Sequence, residues 1–213
     1  MPAPAIKICG IKTADALDAV INARADFVGF VFFPPSPRNL APRESAVLGE
    51  RAKGRIKRVG LFVDADDKLI GEAIAAAGLE ILQLHGDETP QRAAQLRAQF
   101  GLPVWKAIPV ASTQDIRHAA AYREAADFIL FDAKTPKGTL PGGMGLTFDW
   151  NLLAGSKGEL PWGLAGGLTP DNVAAAIQAT GAPLVDTSSG VESAPGVKDT
   201  ARIAAFCNAV RSA

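Results

Sequence analysis

The sequence predicts an α/β fold, a single-domain (β/α)8 barrel of the TIM type. Three observations predict it. Eight short apolar runs alternate with helical patterns along 213 residues, about 27 residues per unit. Several of those runs, such as Phe27 to Phe33, are apolar throughout, the mark of strands covered on both faces. No linker or compositional break divides the chain, so residues 1–213 read as one domain. A doubly wound open sheet is the alternative. It would need a dinucleotide fingerprint or another site where the strand order switches, and none is visible.

The elements follow in order. Ala5 to Cys9 is a strand stopped by Gly10, with Lys7 and Cys9 on one face and Ile6 and Ile8 on the other. Thr13 caps a helix carrying Ala16, Leu17, Val20 and Ile21. Phe27 to Phe33 is the second strand. Prolines 34, 35 and 37 stiffen the loop after it and place one cation, Arg38. A helix runs from about Pro42 to Lys53. Ile56 to Val63 is the third strand, and its helix, with Leu69, Ile70, Ala73, Ile74 and Ala77, closes at Gly78.

Glu80 to His85 is the fourth strand, on which Ile81, Gln83 and His85 share a face. Thr89 to Phe100 is helical. Pro103 to Ile108 is the fifth strand and Ser112 to Ala125 the fifth helix. Asp127 to Asp132 is the sixth strand, with Phe128, Leu130 and Asp132 on one side. The glycine-rich loop from Lys134 to Thr147 is expected to be a functional flap. Phe148 to Leu153 is a short helix and Trp162 to Ala165 the seventh strand. Thr169 as N-cap and Pro170 at N1 start a helix ending near Gly181. Pro183 to Asp186 is the eighth strand. Lys198 to Val210 is the last helix, with Ile203, Phe206, Cys207 and Val210 on one stripe.

Composition narrows the function. The chain is 48% hydrophobic with 22 basic and 22 acidic residues, so no net charge favours nucleic acid or an anionic membrane. No apolar run spans a bilayer and no signal-peptide pattern opens the chain. Two cysteines suit a reducing cytoplasm. No Cys, His or carboxylate cluster has metal-ligand spacing, so neither metal nor cofactor is expected. The expected partner is a small phosphorylated substrate, bound by a monomer.

In this barrel class the C-terminal strand ends form the active-site face. Those ends carry Cys9, His85, Asp132 and Asp186, with Arg38 in the second loop. Gly166, Gly167, Ser188, Ser189 and Gly190, in the loops after strands seven and eight, leave backbone N–H groups bare. With a helix N-terminus behind them, such loops form an anion site. A lone Cys in an apolar strand is ordinarily packing, and Cys207 reads so. Cys9 ends its strand on the face of Lys7, and a nearby cation would lower its thiol pKa. His118 reads as a surface residue. His85 can be a polar strand end or a catalytic group, and Asp132 a cap for the following loop or an acid.

Several motifs, in order and covering nearly the whole chain, resemble the phosphoribosylanthranilate isomerase family. They are Lys7-Ile8-Cys9-Gly10-Ile11, Phe32 to Arg38, Gly60-Leu61-Phe62-Val63, Leu82-Gln83-Leu84-His85-Gly86, Gly142-Gly143-Met144-Gly145 before Phe148-Asp149-Trp150, Ala165-Gly166-Gly167-Leu168, and Asp186 to Glu192. The resemblance implies a cofactor-free Amadori rearrangement of N-(5-phosphoribosyl)anthranilate to 1-(2-carboxyphenylamino)-1-deoxyribulose 5-phosphate, in tryptophan biosynthesis. It implies Cys9 as general base, Asp132 as general acid and Arg38 as ligand of the anthranilate carboxylate. Lys7, Gln83 and His85 are then further substrate-site residues. Gly166, Gly167, Asp186, Ser188, Ser189 and Gly190 form the phosphate grip. The chain differs at Met144, where the family usually has Ser or Thr.

Such chemistry needs a thiolate and a neutral carboxylic acid together. At ordinary pKa values pH 7 leaves roughly 3% of a thiol ionised and about 0.1% of an Asp protonated, so the surroundings must shift one or both. Lys7 is expected to favour the thiolate; Phe128, Leu130 and closure of the 134–147 loop are expected to desolvate Asp132. Two rivals stand beside this reading. Indole-glycerol-phosphate synthase chemistry would want a Lys acid, for which only Lys7 and Lys106 offer themselves among the strands. A barrel that binds a phosphorylated metabolite without turnover would not need Cys9 and Asp132.

Overall fold

The computed structural model of the chain describes residues 3–135, 145–154 and 160–213. Eight parallel strands close into a barrel in sequence order: β1 Ala5–Cys9, β2 Phe27–Phe32, β3 Lys57–Phe62, β4 Ile81–Leu84, β5 Val104–Val110, β6 Phe128–Ala133, β7 Trp162–Leu164 and β8 Leu184–Thr187. Closure runs through β1 and β8, where Lys7 pairs with Asp186 and Ile8 with Thr187. The sequence-predicted fold class is the one observed.

The period-2 alternation decides what lies inside. Phe27, Val59, Ile81, Trp105, Ala107, Phe128, Leu130, Ala165 and Leu184 pack together within the barrel. Its floor is aromatic: Trp105 stacks on Phe128 at 4.5 Å between centroids and meets Phe27 edge-on at 5.1 Å. Even-numbered residues such as Ile6, Ile8, Val28, Phe30, Phe62 and Leu82 face outward into a larger cluster, which they share with the helix stripes. The apolar floor fills one end of the lumen, so the inward polar residues Lys7, Gln83, Asp132 and Asp186 collect toward the C-terminal strand ends.

The helices are α1 Ala14–Asn22, α2 Pro42–Ala52, α3 Asp67–Ala77, α4 Pro90–Phe100, α5 Thr113–His118, α6 Val173–Thr180 and α7 Thr200–Arg211. Their caps follow from local chemistry. Thr13 accepts from the Ala16 N–H, Asp66 from Leu69 and Thr89 from Arg92, and Gly78 closes α3 in the left-handed region. The last stripe, Ile203, Phe206, Cys207 and Val210, is buried as its spacing predicts.

Four elements differ from expectation. The fifth helix breaks after His118 into a 3-10 segment, Ala119–Tyr122. The short helix predicted over Phe148 to Leu153 is one 3-10 turn, Trp150–Leu153. Before α6, Thr169 does not cap the helix. Its Oγ1 accepts the Asp171 N–H and its own N–H donates to Asn172 Oδ1, a side-chain turn that competes with helix and delays α6 to Val173. Finally, Lys198 is not helical. Pro195 and Gly196 (φ +80°) turn the chain so that β9 Glu192–Ala194 pairs antiparallel with β10 Val197–Lys198. Asp199 then caps α7 by accepting from Ala201 and Arg202. Most of the predicted flap, including Met144, lies outside the described residues.

Candidate active site

One cavity opens at the C-terminal strand ends. It is lined by Cys9, Val31, Phe33, Ser36, Arg38, Leu61, Val63, His85, Asp132, residues 165–168 and residues 186–189. Nine of the residues singled out from sequence therefore meet in one place. Lys7 and Gln83 sit deeper, with no exposed surface, and support the wall without forming it. Gly190 also stands behind the wall, in a 3-10 turn, Ser189–Val191.

Cys9 ends β1 and is buried. Burial pushes its thiol pKa up, Lys7 pulls it down, Asp186 raises it and Lys198 lowers it, and the net direction is upward. Lys7 lowers the thiol pKa as expected, but burial outweighs it. The charge of Lys7 is also shared with Asp186, whose Oδ2 lies 2.8 Å from Nζ. Burial pulls the Lys7 ammonium down. The negative charges of Asp186 and Cys9 outweigh that and hold it above its ordinary value.

Across the lumen, Asp132 is 7% exposed and both its oxygens accept hydrogen bonds. Oδ1 takes the Ala133 N–H at 2.8 Å; Oδ2 lies 3.0 Å from His85 Nε2. Gln83 Nε2 lies 3.1 Å from His85 Nδ1. An amide N–H donating there leaves Nδ1 as acceptor and puts the ring proton on Nε2, facing Asp132. The strand alternation that set Gln83 beside His85 thus builds a chain from β4 to the β6 carboxyl group.

The loops after β7 and β8 close the other side. Gly166 (φ +86°) has no room for a side chain: a Cβ would stand 2.4 Å from the Ala133 nitrogen and 3.0 Å from Asp132 Oδ1. At Gly190 a Cβ would stand 1.9 Å from the Leu168 carbonyl oxygen, to which Thr187 Oγ1 also donates at 2.6 Å. The two loops are thereby joined back to back, with their small residues toward the cavity. Backbone N–H groups of such loops bind anions. The Asp186 carboxylate offers no donor and spends its bond on Lys7. It brings to the phosphate loop only the strand end from which that loop leaves.

Arg38 is 9% exposed and held by a bidentate bond to Glu192, Nε to Oε1 at 2.8 Å and Nη2 to Oε2 at 2.7 Å. Lys198 donates to the same carboxylate at 2.7 Å and Gly196 N–H at 3.2 Å. Burial favours protonation of Glu192, yet these partners outweigh it and hold its carboxyl below the usual range. The helical pattern from Lys198 to Val210 hides Lys198 as a site residue; the Pro195-Gly196 pair is the sequence signal for a hairpin there. Among the described residues no group of His, Cys, Asp and Glu could hold a metal ion. No described helix is long and apolar enough to cross a membrane.

Comparison with known proteins agrees with this geometry. A family model described as N-(5'-phosphoribosyl)anthranilate (PRA) isomerase matches residues 6–209. The N-(5'-phosphoribosyl)anthranilate isomerase of Paramagnetospirillum magneticum is 53% identical over 207 residues, 97% of this chain and 96% of that one. The crystal structure of phosphoribosyl anthranilate isomerase from Thermotoga maritima superposes with a TM-score of 0.88 at 34% identity, covering 99% of this chain and 100% of the other. A structure of the isomerase in complex with reduced 1-(o-carboxyphenylamino)-1-deoxyribulose 5-phosphate gives 0.86 at 31% identity over the same shares. By sequence over nearly its whole length and by fold, the chain belongs to the N-(5'-phosphoribosyl)anthranilate isomerase family.

Proposed function

We infer that this chain converts N-(5-phosphoribosyl)anthranilate to 1-(2-carboxyphenylamino)-1-deoxyribulose 5-phosphate, the aldose-to-ketose step of tryptophan biosynthesis. The observation that carries the reading is the meeting of a thiol, a carboxyl group, a guanidinium and two small-residue loops around one cavity.

The residues take these roles. Asp132, with His85 on Oδ2, protonates the furanose oxygen and opens the ring to a protonated imine, whose nitrogen keeps its hydrogen. The Cys9 thiolate removes the proton on C2 of the sugar and leaves an enolamine. That species becomes the ketone as C1 gains a proton and the C2 hydroxyl loses one. Arg38 takes the anthranilate carboxylate, and backbone N–H groups around Gly166, Gly167, Ser188, Ser189 and Gly190 take the phosphate. Gripped at both ends, the sugar is held between acid and base, and such positioning lowers a barrier by several kcal/mol. Gln83 fixes the His85 ring, and Lys7 with Asp186 sets the field at the thiol.

No step of this chemistry calls for a metal or a nucleotide. The residues given roles above all belong to one chain, which suits a working monomer, and two free buried thiols suit a reducing cytoplasm. The test is the fluorescence decay of freshly made phosphoribosylanthranilate on adding purified protein after exhaustive chelation. Turnover at the untreated rate is expected; a substrate that does not decay, or decays only with added metal, overturns the reading.

A further inference from the structure

The proposed grip on phosphate and carboxylate uses two loops far apart in sequence, and one buried cation bridges them. Lys198 stands on β10 directly across from Glu192 on β9, so the two side chains share a face of the hairpin. Its side chain is 2% exposed, and its three N–H bonds have three acceptors: Glu192 Oε1 at 2.7 Å, the Ser188 carbonyl at 2.8 Å and Ser188 Oγ at 3.2 Å. Ser188 Oγ in turn donates to the Cys9 carbonyl at 3.1 Å. Both oxygens of Glu192 hold Arg38, so Oε1 is shared by the two cations. A single ammonium thus ties together the start of the phosphate loop, the backbone of the thiol residue and the anchor of the guanidinium.

We propose that Lys198 is a positioning residue of the isomerase site. It fixes the Ser188 loop and, through Glu192, Arg38, so that the phosphate and carboxylate of one substrate are gripped at a set separation. The proposal rests on the reading of Arg38 and the Ser188 loop given above. A buried ammonium with every N–H placed has little rotamer freedom left, and none of its three acceptors can move without leaving an N–H unsatisfied. A residue with a purely structural role would lower stability and leave the two ends of the site equally competent. Lys198 bonds to both ends and does not line the cavity, so its loss must loosen both grips at once.

The experiment compares Lys198→Met, Lys198→Arg and Arg38→Ala in the full chain. Inhibition by inorganic phosphate and by anthranilate is measured separately, together with KM and kcat. Lys198→Met is expected to weaken both inhibitors and raise KM about tenfold, as a displacement of well under 1 Å would. Lys198→Arg, which keeps a cation and its donors, is expected to recover much of both. Arg38→Ala is expected to weaken anthranilate alone. Wild-type inhibition by both ligands in Lys198→Met, or a loss confined to one, overturns the proposal. An Arg38→Ala protein with unchanged anthranilate inhibition would instead overturn the placing of the carboxylate. Should Lys198→Met fail to melt cooperatively, Glu192→Gln carries the test: weakening of both inhibitors supports the bridge, weakening of anthranilate alone removes it.

Discussion

Lys7 Nζ lies 2.8 Å from Asp186 Oδ2, and this pair sits buried one pleat below Cys9. The thiol therefore meets a cation and an anion together. The cation favours the thiolate and the anion opposes it, while burial opposes it more than either. A lysine on the same strand face was the visible half of this arrangement. The aspartate that offsets it comes from 179 residues along the chain and becomes its neighbour only when β8 closes on β1.

The first prediction concerns this balance. In a Cys207→Ser background, the rate of Cys9 alkylation should rise with pH to an inflection above the ordinary thiol value, because the folded pKa is raised. Lys7→Met removes the cation and leaves the Asp186 carboxylate without its partner, so the inflection should move further up. Asp186→Asn should move it down. Superimposable curves for the three proteins would remove the pair from any role at the thiol.

The second separates the two loops that carry the phosphate. Gly190→Ala would place a Cβ 1.9 Å from the Leu168 carbonyl oxygen and must push the two loops apart. Inhibition by inorganic phosphate should weaken severalfold, while inhibition by anthranilate holds, since Arg38 rests on Glu192. Equal loss for both ligands would show that this contact supports the whole cavity and not the phosphate side alone.

The third is a stability prediction with a definite sign. Burial raises the Cys207 thiol from 9.0 to about 11. A thiol with a raised folded pKa is stabilising while protonated in both states. That contribution is intact below about pH 9 and is lost as pH rises from there through 11. In a melting series from pH 8 to 11, Cys207→Ala, which has no such proton, should show a shallower alkaline decline in Tm than the parent. The wild type should also resist alkylation at Cys207 until it unfolds. Equal slopes would mean the thiol ionises alike in both states.

Much of this was legible in sequence because it depends on period. Alternation along β1, β4 and β6 puts Cys9, His85 and Asp132 on the inner face, and the rule that strand C-termini face the active site does the rest. Pairings across the closed barrel were not legible, since nothing local in Lys7 specifies Asp186 and nothing in Arg38 specifies Glu192. The hairpin at Glu192 to Lys198 was hidden for another reason. Lys198 suits a helix in isolation, and only the turn at Pro195-Gly196 and the cap at Asp199, which starts α7 at Thr200, exclude it.

The last prediction tests the chemistry itself. The mechanism asks Cys9 to give up its proton and Asp132 to hold one at the same time, in a cavity where each has a different set of neighbours. Cys9 faces Lys7 and Asp186, with Lys198 beyond them. Asp132 faces His85 Nε2 and the Ala133 N–H, one on each oxygen, and the other nitrogen of the imidazole is committed to Gln83. Cys9→Ser replaces a thiol with a far weaker acid and so removes the base at neutral pH. Asp132→Asn keeps the size and one acceptor but has no proton to give to the furanose oxygen. Each should lower kcat by at least about 100-fold, the low end for loss of one acid or base, with little change in KM. Gln83→Leu, which frees His85 Nδ1, should alter the pH profile of kcat more than KM, because the ring is no longer fixed in the tautomer that donates to Asp132. Cys207→Ser should leave kcat unchanged. Near-full turnover in Cys9→Ser would remove the thiol as base, and an unchanged pH profile in Gln83→Leu would reduce that residue to packing.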